Sequence, residues 1–278
     1  MLQTLYTIIL YLIQPLIWLR LWLRGRKAPA YRRRWGERYG FCAEKVKPDG
    51  IMLHSVSVGE TLAAIPLVRA LRHRYPNLPI TVTTMTPTGS ERVRSAFGDT
   101  VYHVYLPYDL PCALKRFFDQ VRPKIVIIME TELWPNLIAE LHKRDIPLVI
   151  ANARLSERSA AGYKKIGKLT RHILQRITLV AAQNQEDGNR FIDLGLKRSS
   201  LKVTGSLKFD ISVTPELAAR AITLRRQWAP HRPVWIATST HEGEEAIVLA
   251  AHRQLLSTYP DLLSVSYTHL TLPTICSV

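Results

Sequence analysis

"GIMLHSVSVGETLAAIPLVRALRHR" occupies residues 50–74, and its reading decides the fold. A short apolar run (50–56) gives way to a polar, glycine-containing turn, then to a stretch of helical apolar period that ends on basic residues. Working outward, further β-rich apolar runs lie at 79–86, 101–107, 124–130, 147–153, 177–183 and 201–206. Helix candidates separate several of them: 61–75, 110–121, 135–144, 160–175 and 185–194. Strands that are apolar throughout, alternating with helices of this length, predict a parallel sheet covered on both faces, a doubly wound α/β domain over 50–210.

The pattern restarts after residue 210. A helix candidate within 210–233 leads into a strand at 234–239, a second helical stretch at 241–260 and the start of another strand at 261–263. Residues 211–264 therefore read as the beginning of a second α/β domain. "VSYTHLTLPTICSV" (265–278) breaks that strand and fits neither a helix nor a strand pattern. It resembles the in-frame translation of a sequencing adaptor and is read as a non-native tail, a genuine short tail being the alternative.

The 278 residues carry 38 Lys and Arg against 22 Asp and Glu, a net charge of +16, which calls for a polyanionic partner. The excess is local. Arg20, Arg24, Arg26, Lys27, Arg32, Arg33 and Arg34 all precede the first acid, Glu37, and follow a stretch free of charge through Leu19. An apolar segment of that length with basic residues on its C-terminal flank predicts a membrane anchor over 1–23 and a basic juxtamembrane segment over 24–49. The domain that follows is then cytoplasmic, with the arginines drawn to anionic headgroups. Gln3, Gln14 and Pro15 weaken a spanning helix, and a hydrophobic helix packed on the domain is the alternative. Nucleic acid is disfavoured, because no aromatic platform accompanies the basic residues. Cys42, Cys112 and Cys276 form no CxxC pair, which argues against a zinc site or a disulfide framework and for a reducing compartment.

Ligands of open α/β sheets gather at the carboxyl ends of the strands. Polar clusters occupy four such ends: "HSVSVGE" (54–60), "TMTPTGSER" (84–92), "METELWP" (129–135) and "NARLSERS" (152–159). A fifth, "TGSLKFD" (204–210), lies where the domains join. The first has neither a Walker lysine nor a G-x-G-x-x-G pattern, so it is a poor nucleotide cradle. It closes instead on Glu60, at a helix N-terminus whose dipole favours the ionised form. An ionised acid there can take the proton of an attacking hydroxyl, and Gly59 lets an acceptor approach the backbone. A plain helix-capping glutamate is the competing reading. Glu130 and Glu132, at the end of an apolar strand, need solvation, a hydrogen bond or a cation, and Arg154, Arg158 and Lys208 are candidates for the cation. A structural salt bridge is the alternative. His54 reads as a strand-end residue bonded to backbone, with no second ligand at metal spacing. "STHEGEE" (239–245) reads as a capped helix start.

Taken in order, "HSVSVGET", "TTMTPTGSER", "METELWPN", "NARLSERS", "TGSLKFD" and "ATSTHEGEE" resemble the 3-deoxy-D-manno-octulosonic acid (Kdo) transferases of Gram-negative lipopolysaccharide synthesis. The resemblance runs from the N-terminal anchor to about Leu263. It implies a two-domain GT-B fold whose N-terminal domain binds the acceptor. It implies metal-independent, inverting transfer of Kdo from CMP-Kdo to the glucosamine disaccharide of a lipid A precursor of the lipid IVA type, at the cytoplasmic side of the inner membrane. By the same resemblance Glu60 is the general base, and Glu130 and Lys208 stabilise the transition state. Ser57, Gly59, Thr88, Gly89, Ser90, Glu132, Arg154 and Ser206 are the substrate-binding candidates. The partners it implies are the lipid A precursor, anionic inner-membrane lipids and CMP-Kdo, with no cofactor.

The pattern departs from the family at its end. The Pro-Arg pair that opens the family's cytidylate-binding motifs is absent after residue 264, so this chain is expected not to bind CMP-Kdo normally and to be inactive. A membrane-anchored, non-catalytic α/β module that binds anionic lipid or sugar is the reading from a different class.

Overall fold

The computed structural model describes residues 2–42, 46–210, 213 and 215–267. Most of the stretch read as a non-native tail, residues 268–278, lies outside them. The chain divides into two compact units, 1–211 and 212–278.

The N-terminal apolar stretch forms two helices, α1 (Leu2–Leu12) and α2 (Gln14–Lys27), bent by 47°. Pro15 sits in the first turn of α2, where its missing N–H is harmless, and the chain turns there. Polar side chains tie the pair to the domain. Gln3 Nε2 donates to Asn136 Oδ1 at 3.1 Å, Thr7 Oγ1 donates to the same atom at 3.0 Å, and Tyr39 Oη donates to Gln14 Oε1 at 2.8 Å. The opposite faces leave Leu5, Ile8, Leu12, Leu16, Leu19 and Leu23 exposed. The single anchor helix expected over 1–23 is thus corrected to a bent pair. No single helix among the described residues is long and apolar enough to cross a membrane, although the pair together has the length and composition.

The basic segment after α2 is not all surface. Arg34 clamps Glu37, buried at 1% exposure, through bonds of 2.6 and 2.7 Å. Glu37 also accepts the Tyr105 N–H at 2.8 Å. Arg38 is buried and donates through both terminal nitrogens to the Met85 carbonyl at 3.1 Å. Both guanidinium groups lie 4.5 Å from the Tyr105 ring centroid. Of the arginines expected to meet headgroups, Arg34 is therefore spent inside the fold. A paired, hydrogen-bonded guanidinium is what makes its burial tolerable.

Seven strands follow: β1 (Ile51–His54), β2 (Ile80–Thr84), β3 (Tyr102–Tyr105), β4 (Ile125–Met129), β5 (Leu148–Ala153), β6 (Leu179–Ala182) and β7 (Leu201–Val203). All pair in parallel, in the order β3-β2-β1-β4-β5-β6-β7. The order reverses between β1 and β4, which defines a switch point at their carboxyl ends. Helices α3 (Val58–Arg74), α4 (Pro87–Phe97), α5 (Pro111–Val121), α6 (Pro135–Lys143), α7 (Glu157–Lys165), α8 (Gly167–Leu174) and α9 (Gln185–Asp193) cover the sheet. Alternation along each strand feeds two cores. Met52, Val126 and Ile128 pack with Phe117, Phe118 and Leu137, whereas Leu53, Ile127 and Met129 pack with Ala64, Val68 and Val93. Each large apolar side chain so enclosed contributes roughly 1.5–3 kcal/mol. The sheet is the doubly wound α/β arrangement expected over 50–210.

Two helical readings change. The 84–92 cluster opens an unforeseen helix, α4, capped where Thr86 Oγ1 accepts the Gly89 N–H at 3.1 Å. The single helix expected over 160–175 is two, α7 and α8, broken at Ile166.

The second unit comprises α10 (Pro215–Trp228), β8 (Val234–Thr238), α11 (Glu244–Leu255) and β9 (Leu263–Tyr267), with β8 and β9 parallel. β9 runs three residues into the stretch expected to break the strand, because Val265, Ser266 and Tyr267 pair with Ile236, Ala237 and Thr238. Gly243, at φ 90°, begins α11 with no side-chain cap; Glu244 Oε2 instead accepts the His241 N–H at 2.8 Å, so "STHEGEE" is not a serine- or threonine-capped start. Neither α10 nor α11 buries a residue, and Ile236, Ile247 and Leu249 are exposed.

Candidate functional site at the sheet switch point

Three carboxylates meet where the sheet order reverses. Ser57 caps α3, its Oγ accepting the Glu60 N–H at 3.2 Å. Glu60 folds back, so that Oε2 accepts the Val56 N–H at 2.7 Å and Oε1 accepts the Ser57 hydroxyl at 2.9 Å. The exchange resembles a capping box, which realises the structural reading of Glu60 without excluding the chemical one. Burial pushes the Glu60 pKa up, the two bonds hold it back, and the neighbouring Glu130 and Glu132 push it further up. Burial thus opposes the ionised form that the helix N-terminus was expected to favour.

Glu130 follows β4 in the left-handed backbone region, φ 58°, with its N–H on the Ala151 carbonyl at 2.9 Å. A non-glycine residue there costs on the order of 1 kcal/mol and is held by its surroundings. Glu132 accepts the Trp134 indole N–H at 2.7 Å, and burial raises its pKa. Neither acid forms an ion pair with Arg154, Arg158 or Lys208 among the described residues. The expected pairing is not made: Arg154 and Arg158 are exposed, and Glu132 has the indole instead.

Lys208 reaches the same end of the sheet on a 3-10 turn, Leu207–Phe209, that packs against α3. Asn152 fixes the turn. At φ 54° and 2% exposure, its Oδ1 accepts the Leu207 N–H at 3.1 Å, and Ser206 Oγ accepts the Lys208 N–H at 3.4 Å. Asn152 stood at the head of a recognised cluster, yet its role was not legible, because its partner lies 55 residues on.

The remaining candidates separate. Ser57 and Gly59 are exposed beside Glu60, and a Cβ on Gly59 would meet nothing nearer than the Ser57 Oγ at 3.8 Å. Packing gives Gly59 no reason to lack a side chain. Gly89 does have one, since a Cβ there would lie 3.1 Å from Thr86 Oγ1 and 3.2 Å from Thr84 Cβ. Thr88 is exposed on α4. Ser90 is buried and accepts from Arg34 Nη1 at 3.0 Å.

His54 is buried with Nδ1 2.9 Å from Thr83 Oγ1, and Thr83 also supplies the expected backbone partner. Burial lowers its pKa to about 4, so the ring is neutral at pH 7 and stacks edge-on against Trp134 at 5.8 Å. Asp109 accepts the N–H groups of Asn136 and Leu137 at 3.0 and 2.6 Å, capping α6 from outside it. No cluster of three His, Cys, Asp or Glu side chains that could hold a metal ion occurs among the described residues.

The sequence model of one protein family, "3-Deoxy-D-manno-octulosonic-acid transferase (kdotransferase)", matches residues 33–211. A 3-deoxy-D-manno-octulosonic acid transferase of Haemophilus influenzae is 51% identical over 93% of this chain and 61% of its own length. One from Bordetella pertussis is 37% identical over 88% and 58%. The chain thus spans about six-tenths of the length of these curated relatives. Among solved structures, the UDP-GlcNAc 2-epimerase from Neisseria meningitidis bound to UDP-GlcNAc superposes with a TM-score of 0.55 at 14% identity, covering 80% of this chain and 66% of its own. That likeness speaks for the fold alone.

Proposed function

Because this chain belongs to the 3-deoxy-D-manno-octulosonic-acid transferase family of glycosyltransferases, we propose that it carries the acceptor half of an inverting Kdo transfer from CMP-Kdo to a phosphorylated lipid A precursor. The observation that carries the reading is Glu60, a carboxylate fixed by two hydrogen bonds at the switch point and within electrostatic reach of Glu130 and Glu132. A glutamate with a raised pKa is a stronger base toward a sugar hydroxyl once ionised. In-line attack on the anomeric carbon forms the new C–O bond as the bond to cytidylate breaks. The hydroxyl proton passes to Glu60, and the electron pair leaves with the phosphate. Lys208, on its fixed turn, balances charge on that phosphate or on the Kdo carboxylate. Glu130, held in a strained backbone conformation, stabilises the positive charge that develops at the anomeric carbon. No metal is needed for any of these roles.

The N-terminal helix pair supports an inner-membrane location with the α/β unit on the cytoplasmic side. Its apolar outer face meets acyl chains while its polar face stays bonded to the protein, so the pair lies in the membrane surface and does not span it. The test is transfer from CMP-Kdo by this chain extended with the C-terminal part of the Haemophilus influenzae relative. Transfer that disappears with Glu60→Gln, acceptor binding being retained, supports the enzyme. Acceptor binding with no transfer in the extended chain would favour a binding module.

A further inference from the structure

A pocket of about 430 Å³ opens between α2 and the carboxyl rim of the sheet. Ile17, Arg20 and Arg24 form its α2 wall, and Arg38, Thr86 and Trp134 belong to the wall opposite. Its lining includes three guanidinium side chains and no carboxylate. Arg38 is 3% exposed, and its Nε has no hydrogen-bond partner. Thr86 caps the eleven-residue helix α4, so the positive end of that helix adds to the field. Arg20 and Arg24 stand one turn apart on α2, and neither has a carboxylate partner among the described residues.

The pocket is not a sealed anion hole, because Ile17, Trp134 and neighbouring side chains make much of its wall apolar. Its volume falls in the range of small-molecule sites and accommodates a phosphorylated sugar ring. It also joins the carboxylate site directly. Val56, whose N–H holds Glu60, and Trp134, whose indole holds Glu132, both line it. The other arginines of the segment do something different: Arg26 and Arg32 stack over the Trp22 ring at 4.3 and 5.3 Å. Arg34, clamped to Glu37, belongs to neither set.

We infer that the pocket between α2 and the sheet rim is a phosphate-monoester subsite for the saccharide acceptor, with Arg20 and Arg24 as its mobile clamp and Arg38 as its fixed floor. The inference rests on the proposed acceptor role and assigns α2 a share in it: the helix is a wall of the binding site as well as a membrane contact. A phosphate seated there places the attached sugar against the rim where Glu60 is anchored. Paired guanidinium groups suit a phosphate because each offers parallel N–H donors to two oxygens.

The test measures binding, not turnover, on the 278-residue chain in detergent micelles. The probes are an acylated glucosamine disaccharide carrying two phosphates and the same molecule with both removed. The wild type should prefer the phosphorylated probe at least tenfold. Arg20→Gln/Arg24→Gln should lose that preference while keeping its affinity for the dephosphorylated probe and its melting temperature, and Arg20→Lys/Arg24→Lys should restore part of it. Phosphatidylglycerol vesicles separate the two sources of phosphate. Arg26→Gln/Arg32→Gln should weaken vesicle binding and leave the phosphate preference intact. The subsite is overturned if Arg20→Gln/Arg24→Gln keeps the preference, or if it weakens vesicle binding as much as it weakens saccharide binding. Absence of transfer in the extended chain would sink the transferase reading and leave this result untouched.

Discussion

Glu60 serves as both a helix cap and the proposed base, and the two roles separate with pH. Its raised pKa means that the ionised form is disfavoured by folding, so its favourable contribution is complete below the unfolded carboxylate pKa and is lost as pH rises through the folded value. Glu60→Gln should therefore gain stability relative to wild type as pH rises through that window. Thermal melts from pH 4 to 8 read the trend, and a difference independent of pH would contradict it. In the extended chain the same substitution should lower kcat by roughly 10²–10⁴-fold, and wild-type kcat/KM should fall on the acid side as Glu60 takes up its proton. Gly59→Ala offers a second test, because the backbone there has helical φ and open space for a methyl group. The variant should melt at or above the wild-type temperature, alanine being favoured in a helix by about 0.5–1 kcal/mol, yet bind the acceptor more weakly. Unchanged acceptor affinity would remove Gly59 from the site. Glu60 and Gly59 were legible because type and position coincide at a strand-to-helix turn. Asn152 and Asp109 were not, since what they do depends on N–H groups that the fold brings to them from 55 and 27 residues away.

At the scale of elements, the strands were readable because the central ones are buried on both faces and are built of apolar and β-branched residues, with His54 at the end of β1 and the threonines of β2 buried among them. Helix α4 escaped because only Pro87, Gly89, Ser90, Val93 and Phe97 turn inward, too few large apolar residues to set a period. The α1–α2 bend was signalled by Pro15, but the polar residues within the apolar stretch gave no hint that Gln3, Thr7 and Gln14 bond to the protein. That docking has a titratable partner. Tyr6 of α1 hydrogen-bonds Asp109, whose pKa burial raises from 3.8 to about 6 despite the bonds it accepts. A raised carboxyl contributes stability below about pH 4 that is lost as pH rises through about 6. Over that window the stability difference between wild type and Asp109→Asn should move in favour of the variant, by on the order of 3 kcal/mol for a shift of this size. Denaturant melts at pH 4, 5, 6 and 7 measure it, and parallel pH profiles would show that Asp109 is not the group responsible.

For the molecule as a whole, the two units differ in how they are held. The first encloses two cores around a seven-stranded sheet, whereas the second has a two-stranded sheet and helices that bury no residue. Two strands do not ordinarily sustain an independent fold. Hydrogen exchange should protect amides of β1, β4 and β5 for hours and those of β8 and β9 for seconds, and limited proteolysis should leave a resistant fragment ending near residue 211. Equal protection in β8 and β5 would refute this. The docking of α1 sets an order of events during synthesis. Its partner Asn136 lies 133 residues beyond Gln3, so at 5–20 residues per second the first helix waits roughly 7 to 27 seconds for the surface that will receive it. Through that interval a ribosome-bound chain carries the exposed apolar side chains of the first helix without the surface that its polar ones will bond.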